Sequence, residues 1–310
     1  HHVTAITRDV QTNVDFYVGV LGLRFIKKTV NFDVPDTYHI YFGDRLGTPG
    51  TALTFFGWPH LPAGGAGAGQ VTSIALAVPE PSLDFWRQRL TRLQLGVEVE
   101  RHFGADVVAV GDPDGIRLEL VGQTDDGRWE PWPDSPVAEA NQIRGLHSVG
   151  LCVSSSGPTY SFLTETMGFQ HLETEPGRVR FRTGEGGPGA LLDLFVQPEA
   201  QAGQEMAGTV HHVAWQALTD DEEVEWRERL IFAGRDVTPV IDRKYFHSIY
   251  FREPGGVLFE IATDGPGFTV DEPAEALGTG LQLPAEAEET RGDLSHNLPP
   301  IVVPSFSRSQ

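Results

Sequence analysis

The chain has 310 residues, enough at roughly 100 to 200 residues per domain for two domains or one large one with a substantial core. Lys and Arg total 23 against 43 Asp and Glu, a formal charge of -20; so acidic a surface repels phosphate backbones and anionic lipid, which argues against nucleic-acid and membrane partners. One cysteine, Cys152, excludes an intrachain disulfide and a cysteine-held metal cluster and suits a cytoplasmic protein, while no apolar run approaches the ~18–20 residues that cross a bilayer.

The opening HHVTAITRDV does not read as a signal peptide, and without an initiator Met residues are expected before His1. Residues 3–25 read as a strand, an acidic turn at Asp9 and an amphipathic helix with Val14, Phe16, Tyr17 and Val20 on its apolar face, closed by Gly22. YHIYFGD and TALTFFGW follow as strands and complete a module over 1–60. LPAGGAGAGQ (61–70) reads as a flexible link. A second module, 70–124, has a strand, an acidic turn, a helix carrying WRQRL, and the strand pair VVAVGDPDGIRLELVG. WEPWPDSPVAEANQ, with its prolines and tryptophans, suits an ordered connector; the N-terminal pair of modules is bounded at 1–135 and the connector at 136–144.

Residues 147–169 repeat the first plan, with Tyr160, Phe162, Leu163 and Met167 on the helix and Gly168 in the place of Gly22. This third module spans 145–198. The fourth, 208–264, carries WRERL and ends in SIYFREPGGVLFEIATD, so the C-terminal pair occupies 145–265. An acidic, proline-bearing tail, 266–310, is expected to wrap the surface. The fold class is therefore α+β, with four βαβββ modules in two tandem pairs. The 35 glycines and 22 prolines fit its many short strands and turns.

Two His-His pairs open equivalent strands, His1-His2 in module one and His211-His212 in module four. Side chains alternate along a strand, so one member of each pair faces a shared interior site. Counting to the turn acid selects His2 and His212, seven and eight residues before Asp9 and Asp220, though the count does not exclude their neighbours. Glu260, set among Leu258, Phe259 and Ile261, is the third candidate ligand, because a bare buried carboxylate is very costly. Two imidazoles and one carboxylate make the facial set that leaves positions open on non-haem Fe(II), and Mn(II) accepts the same ligands. In module one the position of Glu260 falls on Thr54. A fourth protein ligand is missing, which favours oxygen chemistry over a closed lyase site. His39 and His247, in aromatic strand segments of modules one and four, are further candidates for the substrate pocket.

Through HHVTAIT, YHIYFGD, TVHHVAW, SIYFREPGGVLFEIATDGPGF and the closing LPP, nearly the whole chain resembles the vicinal oxygen chelate superfamily, and within it the four-module ring-cleaving dioxygenases of the hydroquinone-cleaving type. The resemblance implies curved sheets around one Fe(II) site built by modules one and four, with His2, His212 and Glu260 as ligands. It implies outer roles for Arg243 and Tyr250, with His1, Thr4 and His211 lining the substrate site. Arg243 would stabilise negative charge, and Tyr250 or a histidine such as His211 would move protons. Strand parity brings His1 and His211 to the site only if the strand entry is twisted or bulged. Read without the family, Arg243 is a loop cation paired with Asp242 and Tyr250 a half-buried strand aromatic.

The expected activity is Fe(II)-dependent cleavage of a hydroquinone- or catechol-like ring with O2, in a protein that the family suggests is a homodimer. The rivals are a glyoxalase-type metal-dependent lyase or isomerase, active with Zn or Ni without oxygen, and a non-enzymatic aromatic-binding module. Modules two and three carry a faint echo of the site in Glu119, His147 and Asp193, with Ser73 near the place of a second histidine. Cys152 reads as a small core residue, and AGGAGAG lacks the GK[ST] ending of a phosphate loop.

Overall fold

The computed structural model describes residues 1–124 and 127–306. Four segments each run strand, helix, then three strands. The first contains β1 (His2–Thr7), α1 (Val10–Val14), β2 (Arg24–Val30), β3 (Tyr38–Gly43) and β4 (Ala52–Gly57). The second contains β5 (Gln70–Pro79), α2 (Leu83–Arg92), β6 (Val97–His102), β7 (Ala105–Gly111) and β8 (Arg117–Gln123). The third contains β9 (Leu146–Val153), α3 (Ser156–Ser161), β10 (Gln170–Glu175), β11 (Arg178–Arg182) and β12 (Leu191–Val196). The fourth contains β13 (Val210–Ala217), α4 (Asp220–Phe232), β14 (Ile241–Asp242), β15 (His247–Arg252) and β16 (Leu258–Thr263). The tail adds β17 (Leu281–Gln282) and α5 (Arg291–Asn297).

α1 and α4 begin where short polar side chains hold their free amides. Asp9 accepts from the Thr12 amide at 3.1 Å and Thr219 from the Glu222 amide at 3.2 Å. Four acids, Asp220 to Glu223, fill the first turn of α4, where the helix dipole favours them. α1 and α3 run on into π-helical turns, Asp15–Val20 and Phe162–Thr166, before Gly22 and Gly168 reverse the chain with φ near +75°. A Cβ at Gly22 would lie 2.7 Å from Ser135 and Val137, so packing as well as conformation demands glycine there.

The strands form two sheets, one in the order β14-β15-β16-β13-β1-β4-β3-β2-β17 and the other β10-β11-β12-β9-β5-β8-β7-β6. Modules one and four share the first sheet, and modules two and three the second. The tandem pairs of the sequence are thus not the sheet pairs. In each sheet the two modules meet along an antiparallel seam, β1 with β13 and β5 with β9, and within every module the first and last strands run parallel. A large apolar cluster spans both sheets and their helices, through Tyr17, Phe55, Trp86, Leu118, Leu151, Phe181, Leu230 and Phe259. Each such buried side chain contributes about 1.5–3 kcal/mol. Cys152 is buried with them.

The link 61–70 is not the flexible tether its glycines suggest. Ala68 donates to the Gln201 carbonyl at 2.8 Å, Gly203 returns a bond to Ala68 at 2.8 Å, and Gly64 donates to Ala207 at 3.0 Å. The two inter-module links therefore satisfy each other's backbone groups. A Cβ at Gly67 would come within 2.5 Å of the Gln201 oxygen, so glycine here permits close approach. The connector is clasped by Gln142, which donates to the Trp132 and Val137 carbonyls and accepts from the Trp132 amide. The tail docks on module one. β17 pairs with the edge strand β2, Leu283 and Leu298 enter the core, and fully buried Lys27 donates to Phe268, Asp271 and Glu272 at 3.0, 2.7 and 2.6 Å.

Four residues beyond their caps, α1 and α4 bury Asn13 and Glu223, whose side-chain polar atoms have no hydrogen-bond partner among the described residues. Burial raises the Glu223 carboxyl to about 7; nearby His247 opposes the shift, and Asp220 and Glu260 add to it. The folded protein thus keeps a proton that the unfolded chain releases near its ordinary value of 4.5, so stability declines as pH rises from there to about 7 and then levels. Glu223→Gln is expected to match the parent near pH 5 and to exceed it at pH 8 in urea unfolding. An equal difference at both pH values would contradict this assignment.

Candidate metal centre

β1, β13 and β16 lie side by side in the nine-stranded sheet, and one side chain from each converges on a point. His2 Nε2 lies 3.3 Å from His212 Nε2 and 3.2 Å from Glu260 Oε2, and His212 Nε2 lies 2.8 Å from the same oxygen. All three residues are buried, and their ligand atoms fall within 4.8 Å of one another. This is the one cluster of three or more metal-ligand side chains among the described residues. Burial alone would raise the Glu260 carboxyl, but His2 and His212 hold it well below the usual carboxylate range. Ser248 donates to Oε1, whereas Oε2 has no hydrogen bond among the described residues. An acceptor left so deep in the protein, facing two imidazole nitrogens, fits a divalent cation.

The neighbouring histidines form an outer pair. His1 Nδ1 lies 2.8 Å from His2 Nδ1, and His211 Nδ1 lies 2.7 Å from His212 Nδ1. Binding a cation through Nε2 leaves the proton on Nδ1 of His2 and His212, which then donate to His1 and His211 and fix the ligand rings. His211 reaches this place through a register break in the seam. Thr4 faces His212 and Ala5 faces Val210, so His211 is the extra residue of a bulge. Burial, helped by His212 and Arg252, lowers His211 to about 3, which keeps the ring neutral.

Around this core the structure places Arg243, whose Nε donates to Tyr250 Oη at 3.2 Å and whose guanidinium also pairs with Asp33 at 3.1 Å. Its carboxylate partner is therefore not Asp242, which instead accepts from the Lys244 amide. Burial, with Glu260 adding, pushes the Tyr250 phenol well above its ordinary value, so it stays protonated. The Tyr250 ring stands 5.6 Å from that of His212. Thr4 Oγ1 lies 2.7 Å from Thr54 Oγ1, and His39 Nε2 lies 2.8 Å from the same Thr54 oxygen. Phe56 stacks on Trp58 at 5.1 Å and stands edge-on to His211, giving an aromatic wall. His247 is not part of this group. Alternation along β15 turns it to the sheet face opposite Ser248 and Tyr250, where its Nδ1 lies 2.8 Å from Asp220 of α4.

Sequence reasoning passed over Ser248, Tyr41 and Asp33. The first two lie two residues from named candidates, Tyr250 and His39, and strand alternation gives each the same face as its neighbour. Asp33 left no such signal, because it meets Arg243 only through the pairing of modules one and four.

Comparison with known proteins agrees with this architecture. The profile of the Glyoxalase/Bleomycin resistance protein/Dioxygenase superfamily matches residues 1–120 and 145–261. A Bacillus subtilis (strain 168) protein provisionally named as the ring-cleaving dioxygenase MhqO is 42% identical over 303 residues, covering 98% of this chain and 96% of its own. The chlorohydroquinone/hydroquinone 1,2-dioxygenase of Sphingobium indicum is 34% identical over 315 residues, covering 98% and 97%. A solved Bacillus subtilis structure, itself provisionally described as a dioxygenase, superposes with a TM-score of 0.93 at 40% identity over 99% of this chain and 98% of that one.

The second sheet repeats the backbone of the site with different side chains. Glu260 faces Ala214, two residues beyond His212, and in the same relation Thr54 faces Thr4 beyond His2, Glu119 faces Ala75 beyond Ser73, and Asp193 faces Gly150 beyond Ser148. Ser73 and Ser148 therefore occupy the places of the two inner histidines, and His147 that of outer His211. Arg180 holds Asp193 with two bonds of 2.7 and 2.8 Å, Arg178 bridges Asp193 and Glu119 at 3.1 Å each, and Arg117 meets Glu119 at 3.0 Å. Guanidinium groups here take the carboxylates that a cation would need. His147 bonds Gln123 and Ser148, and burial, with Arg180 adding, lowers it to about 4. Asp193→Ala is expected to cost about 3–5 kcal/mol in urea unfolding, because it leaves two buried guanidiniums short of counter-charge, while bound metal stays at one equivalent per chain. Loss of that metal with Asp193 would contradict the assignment.

Proposed function

Because the chain belongs to the Glyoxalase/Bleomycin resistance protein/Dioxygenase superfamily and ring-cleaving dioxygenases are among its full-length relatives, we propose that it is an oxidoreductase that opens the ring of a hydroquinone- or catechol-like aromatic with O2. The metal is Fe(II), with Mn(II) the alternative of like ligand preference, held by His2, His212 and Glu260. The observation that carries this reading is the buried set of two imidazoles and one carboxylate with an unbonded Oε2 at its centre. A ferrous ion in such a set supplies redox access to O2 and open positions beside its three protein ligands.

The chain's own residues set the conditions for that chemistry. Arg243, charged and anchored on Asp33 and Tyr250, offers its guanidinium to an anionic oxygen of the substrate. Tyr250, held neutral, is a proton donor at Oη. His1 and His211 orient the inner histidines, and His211 with Phe56 and Trp58 offers faces against which an aromatic ring can lie. Burial of the three ligands excludes bulk water. A glyoxalase-type lyase would need a further ligand in module one. At that position Thr54 instead spends its hydroxyl on Thr4 and His39.

The test is anaerobic loading with Fe(II), then oxygen uptake with ultraviolet scanning over a panel of hydroquinones and catechols. The parent is expected to couple uptake to a ring-opened chromophore, and His212→Ala to lose both iron and uptake, the latter by about 100-fold or more. If His212→Ala kept stoichiometric iron and full uptake, the assignment would be wrong. Oxygen-independent turnover with Zn or Ni would move it to the lyases. Arg243→Met is expected to lower kcat/KM by about tenfold or more without changing iron content.

A further inference from the structure

Thr4, Thr54, His39 and Tyr41 form a single file of hydrogen bonds that runs away from the metal ligands into module one. Thr4 Oγ1 and Thr54 Oγ1 are 2.7 Å apart, Thr54 Oγ1 and His39 Nε2 2.8 Å, and His39 Nδ1 and Tyr41 Oη 2.9 Å. The backbone sets this file: Thr4 faces Thr54 in the parallel pair β1–β4, Thr54 faces Tyr41 in the antiparallel pair β4–β3, and His39 lies two residues before Tyr41 on the same face. Thr4, Tyr41 and Thr54 are buried, and His39 is wedged between the rings of Tyr41 and Phe56 at 4.2 and 4.4 Å. Across the seam Thr4 faces His212.

A neutral imidazole has one donor and one acceptor nitrogen, so the direction of the Tyr41–His39 bond sets that of the His39–Thr54 bond. Of the end groups, the phenol is the stronger donor and the poorer acceptor. Tyr41 therefore gives its proton to Nδ1 and Nε2–H donates to Thr54; Thr54 Oγ1 has no further hydrogen-bond partner than His39 and Thr4 among the described residues, so its own proton goes to Thr4. The hydroxyl proton of Thr4 is left free to point into the site. Burial, reinforced by His212, His2 and Arg243 and opposed by Glu260, keeps His39 uncharged, so no buried imidazolium interrupts the sequence. Burial, with Tyr250 and Glu260 adding and Arg243 opposing, raises Tyr41 well above its ordinary value and keeps it a phenol.

We propose that His39 and Tyr41 are positioning residues that lock Thr4 as a hydrogen-bond donor toward a deprotonated oxygen of the aromatic substrate beside His212. The file thereby rewards a phenolate-type oxygen over a hydroxyl that needs an acceptor, and so favours substrates that shed a proton on binding. No bond to carbon is made or broken in it. This inference rests on the ring-cleavage reading for its substrate, but the direction of the file does not.

Two measurements test it separately. Ring 15N spectra of the metal-free protein, with the His39 signals identified by their loss in His39→Gln, are expected to show protonated Nε2 and bare Nδ1, with Tyr41→Phe shifting that preference. A wild-type ring protonated at Nδ1, or a ring indifferent to Tyr41→Phe, would overturn the proposal whether or not the protein cleaves rings. In the iron-loaded protein, Thr54→Val and Tyr41→Phe are expected to lower kcat/KM by about tenfold and to move its acid limb to higher pH, with Thr54→Ser restoring both. Iron content should not change. Parental kcat/KM and pH profile in both variants of an active enzyme would overturn the proposal, whereas an inactive parent would sink only the ring-cleavage reading.

Discussion

The site depends on the antiparallel seam between β1 and β13. Thr4 faces His212 and His2 faces Ala214 across it, and this register brings two histidines 210 positions apart to 3.3 Å between ring nitrogens. A slip of one residue between β1 and β13 would put one histidine on the opposite face from the other. Glu260 joins them because β16 runs parallel to β13 on the other side, with Glu260 opposite Ala214. The bulge at His211 keeps the register from forcing that histidine away from the site, so each inner imidazole has an outer imidazole behind it. Three polar groups so deeply buried are costly unless they are paired, and a bound cation would return the most to the fold at this point.

The second seam shows that backbone geometry alone does not make a metal site. β5 and β9 repeat the same register, yet serines stand where the imidazoles would be and three arginines neutralise the two carboxylates from within. The same frame thus holds a candidate cation centre in one sheet and a protein-supplied cation in the other. Function resides in these few side chains and not in the fold that carries them.

Much of this was legible in the sequence because it was local or repeated. The turn acids, the apolar residues Val14, Phe16, Tyr17 and Val20 that follow the first of them, and the closing Gly22 and Gly168 mark the modules. The doubled histidines and an acid amid Leu258, Phe259 and Ile261 mark the cluster. What the sequence hid is non-local. Chain order alone suggests neighbours 1–2 and 3–4, and only the family resemblance points to the pairing of 1 with 4 that the first sheet shows. For the same reason Asp33, rather than adjacent Asp242, meets Arg243. His247 looked like a pocket residue by its aromatic surroundings, but strand alternation faces it toward α4 and Asp220. The link 61–70 has a tether's composition and yet is ordered by a second glycine-containing link over a hundred residues away.

The most direct test is anomalous scattering at the iron edge from crystals grown and loaded with Fe(II) without oxygen. One iron per chain, bound by Nε2 of His2, Nε2 of His212 and the Glu260 carboxylate, is the predicted result, with no peak among Ser73, Ser148, Glu119 and Asp193. Iron bound through His1 or His211, or found in the second sheet, would contradict the account.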